Sequence, residues 1–200
     1  RSFGNNKLYS RVFYEHLRKL LQRGSSIEFF PEGGRSRSGR LLPTRPGIIS
    51  MLIRAFQDMD EKPVKFVPIS MNYEKVLEGN SYHKEAMGGT KKRESLQSIL
   101  RVAKDFRGYL GNAYLQIGEP IDLKEFLDNN FENWADNIIS EDLDNSPTQQ
   151  WLYYLTPRLG KEIMKNINKA TIVTPSALFA SAILNANKFR LSKDKLKSRI

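Results

Sequence analysis

The sequence contains no cysteine, only two histidines and no long apolar run. Without cysteine there is no disulfide framework, no thiolate metal site and no cysteine nucleophile, which is compatible with a reducing compartment. No stretch approaches the roughly 18 consecutive apolar residues of a membrane-spanning helix, although attachment to a membrane surface stays open. The chain starts with Arg1 and lacks the pattern of a secretory signal, so we interpret it as a piece of a longer protein.

What is present is enough to build a globular core. The 200 residues are 40% hydrophobic and 10% aromatic, which excludes a disordered or low-complexity protein. The formal net charge is +10, and it is concentrated at both ends of the chain. Residues 1–50 hold ten Lys and Arg against three Asp and Glu, and residues 151–200 hold ten against two. These ends are either solvated basic faces or surfaces for anionic ligands.

The first 120 residues alternate between two patterns. Short β-prone segments predict strands at 25–30, 64–73 and 113–118, and apolar residues at helical spacing predict helices at 8–21, 48–56 and 96–106. Strands that alternate with helices are typical of an α/β fold with an open sheet and crossover helices. We therefore predict a partial α/β domain over residues 1–120.

Beyond residue 120 the pattern becomes helical. Helices are predicted near 122–129, 148–168 and 175–187, so we interpret 121–200 as a helical extension packed on the α/β domain, with a separate small domain as the alternative. The last of these helices is apolar on nearly every side. We expect it to be buried, and contact with a membrane is the alternative.

The segment that carries chemistry follows the first predicted strand. It reads Glu32, Gly33, Gly34, Arg35, Ser36, Arg37, Ser38, Gly39 and Arg40. The paired glycines allow a tight turn that exposes backbone N–H groups, and the arginines supply forked donors, which together suit a phosphate. From the residues alone, three readings stay open: a site for a small phosphate ester, a loop on nucleic acid, or a solvated arginine loop. The nucleic-acid reading lacks its usual companion motifs.

This segment resembles the third motif of the membrane-associated glycerol-3-phosphate 1-O-acyltransferases, which reads Phe-x-Glu-Gly-Gly-Arg-Ser-Arg-(Thr/Ser)-Gly-Arg. The segment from Val67 to Glu74 resembles the fourth motif, with its proline and the Tyr-Glu after it. Gly118-Glu119-Pro120 and Thr174-Pro175 are also similar to the family. The resemblance spans nearly the whole chain and is closest to the bacterial enzymes.

The resemblance implies acyl transfer from acyl-acyl-carrier-protein or acyl-CoA to the 1-hydroxyl of glycerol 3-phosphate, which gives lysophosphatidic acid and begins glycerophospholipid synthesis. It implies no metal, no cofactor beyond the acyl donor, no nucleic acid partner, and a location on the cytoplasmic face of the inner membrane. The substrate-binding residues that it implies are Arg1, Glu32, Gly33, Gly34, Arg35, Ser36, Arg37 and Pro68.

The resemblance also gives these residues roles. Glu32 and Arg35 would bind glycerol 3-phosphate, with Gly33 shaping the loop. Arg1 would be the last arginine of the second motif and would contact the phosphate. Pro68 would belong to the wall on the acyl side, although a proline within a strand is equally typical of an edge or a bulge.

One departure from the family concerns the catalytic base. The family's first motif, His-x-x-x-x-Asp, provides the histidine that accepts the proton of the attacking hydroxyl. Five residues after His16 stands Leu21, and five after His83 stands Gly88, so neither histidine fits. We therefore expect the base to lie upstream of Arg1 and the chain to be inactive alone.

Two other functions stay open. A dihydroxyacetone-phosphate acyltransferase has a similar loop, usually with Gly-Thr in place of Gly33-Gly34. A non-catalytic module that binds phosphate or anionic lipid would also use the arginine loop, and the basic tail from Lys188 to Arg199 would suit lipid headgroups.

Overall fold

The computed structural model describes residues 6–34, 36, 40–59, 62–74, 111–135, 150–186 and 192–198. Within these ranges the helices are α1 (Lys7–Gln22), α2 (Pro46–Gln57), α3 (Leu123–Asn130), α4 (Gln150–Ala170), α5 (Pro175–Leu184) and α6 (Lys193–Lys197). The strands are β1 (Lys65–Phe66), β2 (Ile69–Tyr73), β3 (Ala113–Ile117) and β4 (Ile121–Asp122). The predicted helix at 96–106 lies outside the described residues.

Local signals set the ends of the first two helices. Asn6 caps α1 by accepting the Tyr9 N–H at 2.9 Å, and Gly24, at φ +73°, follows its end. Pro46 stands at the first position of α2, where its missing N–H removes no helical hydrogen bond. The helices predicted at 8–21 and 48–56 are therefore confirmed.

The described strands form two small sheets. β1 pairs antiparallel with β4, with Phe66 opposite Ile121, and β2 pairs with β3. Pro68 separates β1 from β2, as the proline in the predicted strand 64–73 requires. Residues 25–30 are not a strand, because within the described ranges no neighbouring segment pairs with them. The described part of the chain thus mixes helices and strands as predicted, in sheets of two strands each, and the open sheet with crossover helices stays a prediction.

Contacts divide the chain into two compact units. The first contains residues 1–68 and 117–169, and the second contains 69–116 and 170–200. Each unit contains residues from before and after residue 120. The predicted domain boundary at residue 120 stays a prediction. The core of the first unit is formed by apolar side chains of α2, α3 and α4; the most deeply buried are Ile49, Ile53, Leu123, Leu127, Leu155 and Leu159.

The expected burial of the helix near 175–187 is wrong. In α5 only Ala182 is buried, while Phe179 is 47% and Leu184 67% exposed. A helix that is apolar all round has no polar face, so its sequence does not indicate which of its residues make contacts. Among the described helices none is by itself both long and apolar enough to cross a membrane; α4 and α5 meet that criterion only when counted together.

Candidate functional site

The arginine-rich loop starts from a tight turn. The Gly33 N–H donates to the Phe30 carbonyl at 3.0 Å, with Pro31 and Glu32 as the central residues. Proline suits the second position of such a turn because its φ is already fixed there. Gly33 itself has φ +61°, in the left-handed region that favours glycine. The turn therefore explains one of the two glycines of the motif.

The two ends of the loop are held together. The Arg45 N–H donates to the Pro31 carbonyl at 2.7 Å, which closes the segment 31–45 at its base. The Arg45 side chain crosses the Gly33 backbone, since a β-carbon built on Gly33 would lie 2.6 Å from Arg45 Cγ. Loops of about this length whose ends meet are compact surface units that often carry function. The loop is thus a closed unit and not an open connection.

Helix α4 holds the end of this loop from a second side. Gly160, a buried residue of α4, lies against the side chain of Thr44, which directly precedes Arg45. Thr44 and Arg45 lead straight into α2, whose apolar face is in the same core as α4. The base of the loop is therefore fixed by packing in the first unit.

Four of the predicted site residues lie on this loop in the described part of the chain. Glu32 and Ser36 are half-buried, and Gly33 and Gly34 are exposed. Among the described residues nothing lies within 4 Å of the position that a β-carbon on Gly34 would occupy. The predicted site residues Arg1, Arg35 and Arg37 lie outside the described residues.

Pro68 lies at the break between β1 and β2. It is buried, and its carbonyl accepts the Gly118 N–H at 2.7 Å. The structural link from this strand to the loop runs through Phe66, whose ring meets that of Phe29 edge to face with centroids 6.3 Å apart. Phe29 stands two residues before Pro31, where the loop begins. The role of Pro68 in an acyl-side wall stays a prediction.

Glu74, in the segment that resembles the fourth motif, has a structural role. Its carboxylate accepts the Asn112 N–H at 3.0 Å and the Tyr114 hydroxyl at 2.7 Å. These hydrogen bonds, led by that of the Asn112 backbone, hold the pKa of Glu74 below its ordinary value. Glu74 thus ties the end of β2 to β3.

The described histidine offers no catalytic pair. His16 is exposed on α1, and Leu21 occupies the position where the family motif has aspartate. His83 lies outside the described residues. The described part of the loop therefore has the features of a binding site for an anion, namely an exposed glycine turn and cationic side chains, without a histidine base beside an aspartate.

Sequence reasoning missed three residues that shape the loop. Arg45, Thr44 and Gly160 lie outside the family motif, and the contacts of Gly160 with Thr44 and of Arg45 with Gly33 are not local in sequence. The only sequence signal near these residues is Pro46, which is typical of the first position of a helix. It indicates that Arg45 directly precedes a helix, but not that Arg45 contacts Gly33.

A cleft between α3 and α4 is chemically different from the loop. This cleft of about 1000 Å³ has acidic and basic side chains on its walls, among them Glu119, Asp122, Glu125, Arg158, Lys161 and Lys165. None of the predicted site residues lines it. Such a polar lining does not suit an apolar acyl chain.

Comparison with known proteins agrees with the motif. The model of the glycerol-3-phosphate acyltransferase C-terminal region matches residues 82–200, and an acyltransferase model matches residues 2–72. Glycerol-3-phosphate acyltransferases of Pseudoalteromonas translucida, Haemophilus influenzae and Pseudomonas aeruginosa are similar to the chain, with 40%, 38% and 38% identity. The matches cover 100%, 98% and 98% of this chain.

The same matches cover only 24%, 23% and 23% of the relatives. The chain therefore spans about a quarter of the length of the curated relatives that it matches. Because one family model covers more than half of the chain and the loop motif agrees with it, the chain belongs to the glycerol-3-phosphate acyltransferase family.

Proposed function

We propose that this chain is the phosphate-binding part of a longer enzyme. That enzyme transfers an acyl group from acyl-acyl-carrier-protein or acyl-CoA to the 1-hydroxyl of glycerol 3-phosphate and forms lysophosphatidic acid. The observation that carries the proposal is that the turn at Gly33 and the hydrogen bond from Arg45 to Pro31 hold together the two ends of the segment with the family's motif.

The proposed reaction is a direct acyl transfer. The hydroxyl oxygen of glycerol 3-phosphate attacks the thioester carbonyl carbon, the new C–O bond forms and the C–S bond breaks. The proton of the hydroxyl passes to a histidine base upstream of Arg1 and from there to the leaving thiolate. The loop arginines position the acceptor and neutralise its phosphate charge, and the reaction needs no metal or further cofactor. A chelator would then leave the rate unchanged.

We also propose that the longer protein completes the sheet. Residues 25–30 have no strand partner within the described ranges, and apart from the Ser25 N–H and the Phe30 carbonyl their backbone groups are available to a neighbouring strand. An open sheet with crossover helices would then form around the loop. Protection of the amides of residues 25–30 from hydrogen exchange in the full-length protein, and not in the 200-residue chain, would support this completion.

For location, we propose the cytoplasmic face of the inner membrane. The exposed apolar side chains of α5 and the exposed lysines of α6, which contacts α5, support attachment to a surface with anionic headgroups. The test is binding to liposomes that contain anionic lipid, with Lys193, Lys195 and Lys197 changed together to Gln. Unchanged binding of this variant would remove the electrostatic part of the proposal.

The acceptor that the full-length protein acylates distinguishes the proposed function from the two alternative functions. The full-length protein is assayed with glycerol 3-phosphate and with dihydroxyacetone phosphate, beside Arg35→Ala. Acylation of glycerol 3-phosphate with a sharply raised KM in Arg35→Ala supports the proposal, and preference for dihydroxyacetone phosphate supports the second candidate. A folded protein that acylates neither would be a binding module. The 200-residue chain alone should show no turnover, and any acyl transfer by it would contradict the proposed position of the base.

A further inference from the structure

Arg45 stands at the base of the loop with its side chain directed across the turn. Its Cγ, Cβ and Cδ lie 2.6, 3.4 and 3.8 Å from the position that a β-carbon on Gly33 would occupy. The guanidinium group begins one bond beyond Cδ, so it is attached to methylenes that lie against Gly33. A cationic side chain therefore contacts one of the two glycines of the motif.

The charge of Arg45 is uncompensated where the structure describes the chain. The side chain is exposed, no carboxylate in the described ranges pairs with it, and it makes no capping hydrogen bond at the start of α2. Glu32, the carboxylate of the turn that the Arg45 side chain crosses, makes no ion pair with it. An arginine held by its methylenes with a free guanidinium is pre-organised to bind an anion, because little further side-chain entropy is lost on binding.

We infer that Arg45 binds the phosphate of the acceptor substrate, in addition to the arginines of the motif. This inference rests on the proposed function, since it takes the ligand of the loop to be glycerol 3-phosphate. A guanidinium offers two parallel N–H donors to phosphate oxygens, and such charge-assisted pairs are among the strong hydrogen bonds in proteins. Arg45 lies outside the motif, and only the fold of the loop brings it to the turn.

A structural role is the competing explanation, because the Arg45 methylenes also cover Gly33. Arg45→Met separates the two: it keeps an unbranched aliphatic side chain over Gly33 and removes the charge. Arg45→Lys keeps the positive charge and removes the two parallel N–H donors of the guanidinium group. Arg23→Met is the matched control, since Arg23 is an exposed arginine at the end of α1, with the whole segment 24–30 between it and the loop.

The test measures binding and turnover in the full-length protein. Calorimetry gives the Kd for glycerol 3-phosphate and for inorganic phosphate, and steady-state kinetics give KM and kcat for both substrates. We expect Arg45→Met to raise the Kd and KM for glycerol 3-phosphate about tenfold or more, Arg45→Lys to raise them less, and Arg23→Met to leave them unchanged. The KM for acyl-CoA and the melting temperature should stay close to wild type.

The outcomes separate the two proposals. If wild-type protein binds glycerol 3-phosphate but transfers no acyl group, the proposed function fails, and the Kd of Arg45→Met still decides the role of Arg45. If wild-type protein is active and Arg45→Met binds glycerol 3-phosphate within twofold of it, the inference about Arg45 is overturned. It is also overturned if Arg45→Met lowers the melting temperature and alters the constants of both substrates alike, or if wild-type protein binds neither ligand.

Discussion

Gly160 of α4 lies in direct contact with Thr44 at the base of the loop. A β-carbon on Gly160 would stand 2.4 Å from Thr44 Oγ1 and 3.2 Å from Thr44 Cβ, closer than side chains normally approach. The two residues are 116 positions apart in the sequence. Because Gly160 has no side chain, α4 can pack directly against the segment that closes the loop, and the core of the first unit thereby sets the position of Arg45.

Gly160→Ala should therefore disturb the loop although alanine favours helices. The added methyl group forces Thr44 to move, and overpacking of this kind costs about 1–3 kcal/mol, against about 1 kcal/mol gained in helix propensity. We expect a net loss of up to about 2 kcal/mol in the free energy of unfolding and a raised KM for glycerol 3-phosphate. Urea denaturation and the acyl-transfer assay measure these effects.

The contact itself is tested by a double-mutant cycle. Thr44→Ala removes Oγ1 and Cγ2, two of the atoms that the new methyl group would meet. Gly160→Ala should then be much less destabilising in the Thr44→Ala background than alone. Equal effects of Gly160→Ala in both backgrounds would show that the two residues act independently.

The two adjacent glycines of the loop should respond differently to substitution. Gly33→Ala places a β-carbon in the left-handed region at φ +61° and against Arg45 Cγ, so it should destabilise the protein by about 1–2 kcal/mol and raise the KM for glycerol 3-phosphate. Gly34→Ala, the matched control, adds a methyl group to a position without close described neighbours and should change stability by less than about 0.5 kcal/mol. Equal losses in both variants would contradict this assignment.

Local patterns predicted the elements whose ends are fixed by single residues. Gly24 after α1 and Pro68 between β1 and β2 each act through their own backbone conformation, so the sequence indicates them directly. Pro46 gives the same kind of signal, although helix α2 was predicted only from residue 48. The turn at Gly33 was likewise predicted from glycine alone. These features make up the local geometry of the loop.

Features that depend on a partner were not predictable in this way. Residues 25–30 have the composition of a strand, but a strand exists only where another segment pairs with it. Helix α5 is apolar on all sides, so its composition did not show that Phe179 and Leu184 would be exposed. No periodic sequence pattern predicts the contacts of Gly160 with Thr44 and of Arg45 with Gly33, because each contact joins a single pair of residues that are not neighbours in the sequence.

The N-terminal cap of α3 should contribute measurably to the core. The Asp122 side chain accepts the N–H groups of Lys124 and Glu125 at 3.0 and 3.2 Å, and α3 carries the fully buried Leu123 and Leu127. Asp122→Ala should lower the free energy of unfolding by about 1 kcal/mol, whereas Asp122→Asn should be nearly neutral because asparagine also caps well. Urea denaturation of both variants checks this, and equal losses would assign the effect to charge instead of capping.

The carboxylate of Glu74 should make the pairing of β2 with β3 sensitive to acid. Its pKa is lowered from an ordinary value of 4.5 by the Asn112 N–H and the Tyr114 hydroxyl, which donate to the charged form. A carboxyl with a lowered folded-state pKa stabilises the fold above its unfolded pKa, and this contribution is lost as the pH falls through the folded value. Stability should therefore decrease with acidification below about pH 4.5, partly because Glu74 becomes protonated.

Glu74→Gln isolates this contribution, because glutamine keeps the shape of the side chain and cannot ionise. The variant should be less stable than wild type at neutral pH, and the difference should shrink as the pH falls, since protonated Glu74 also accepts fewer hydrogen bonds. Glu132→Gln, which removes an exposed carboxylate beyond α3, provides the control for a general change in net charge. Denaturation curves between pH 7 and about pH 3 measure the trend. A difference between wild type and Glu74→Gln that stays constant over this range would show that the hydrogen bonds to Glu74 stabilise the strand pairing independently of its charge.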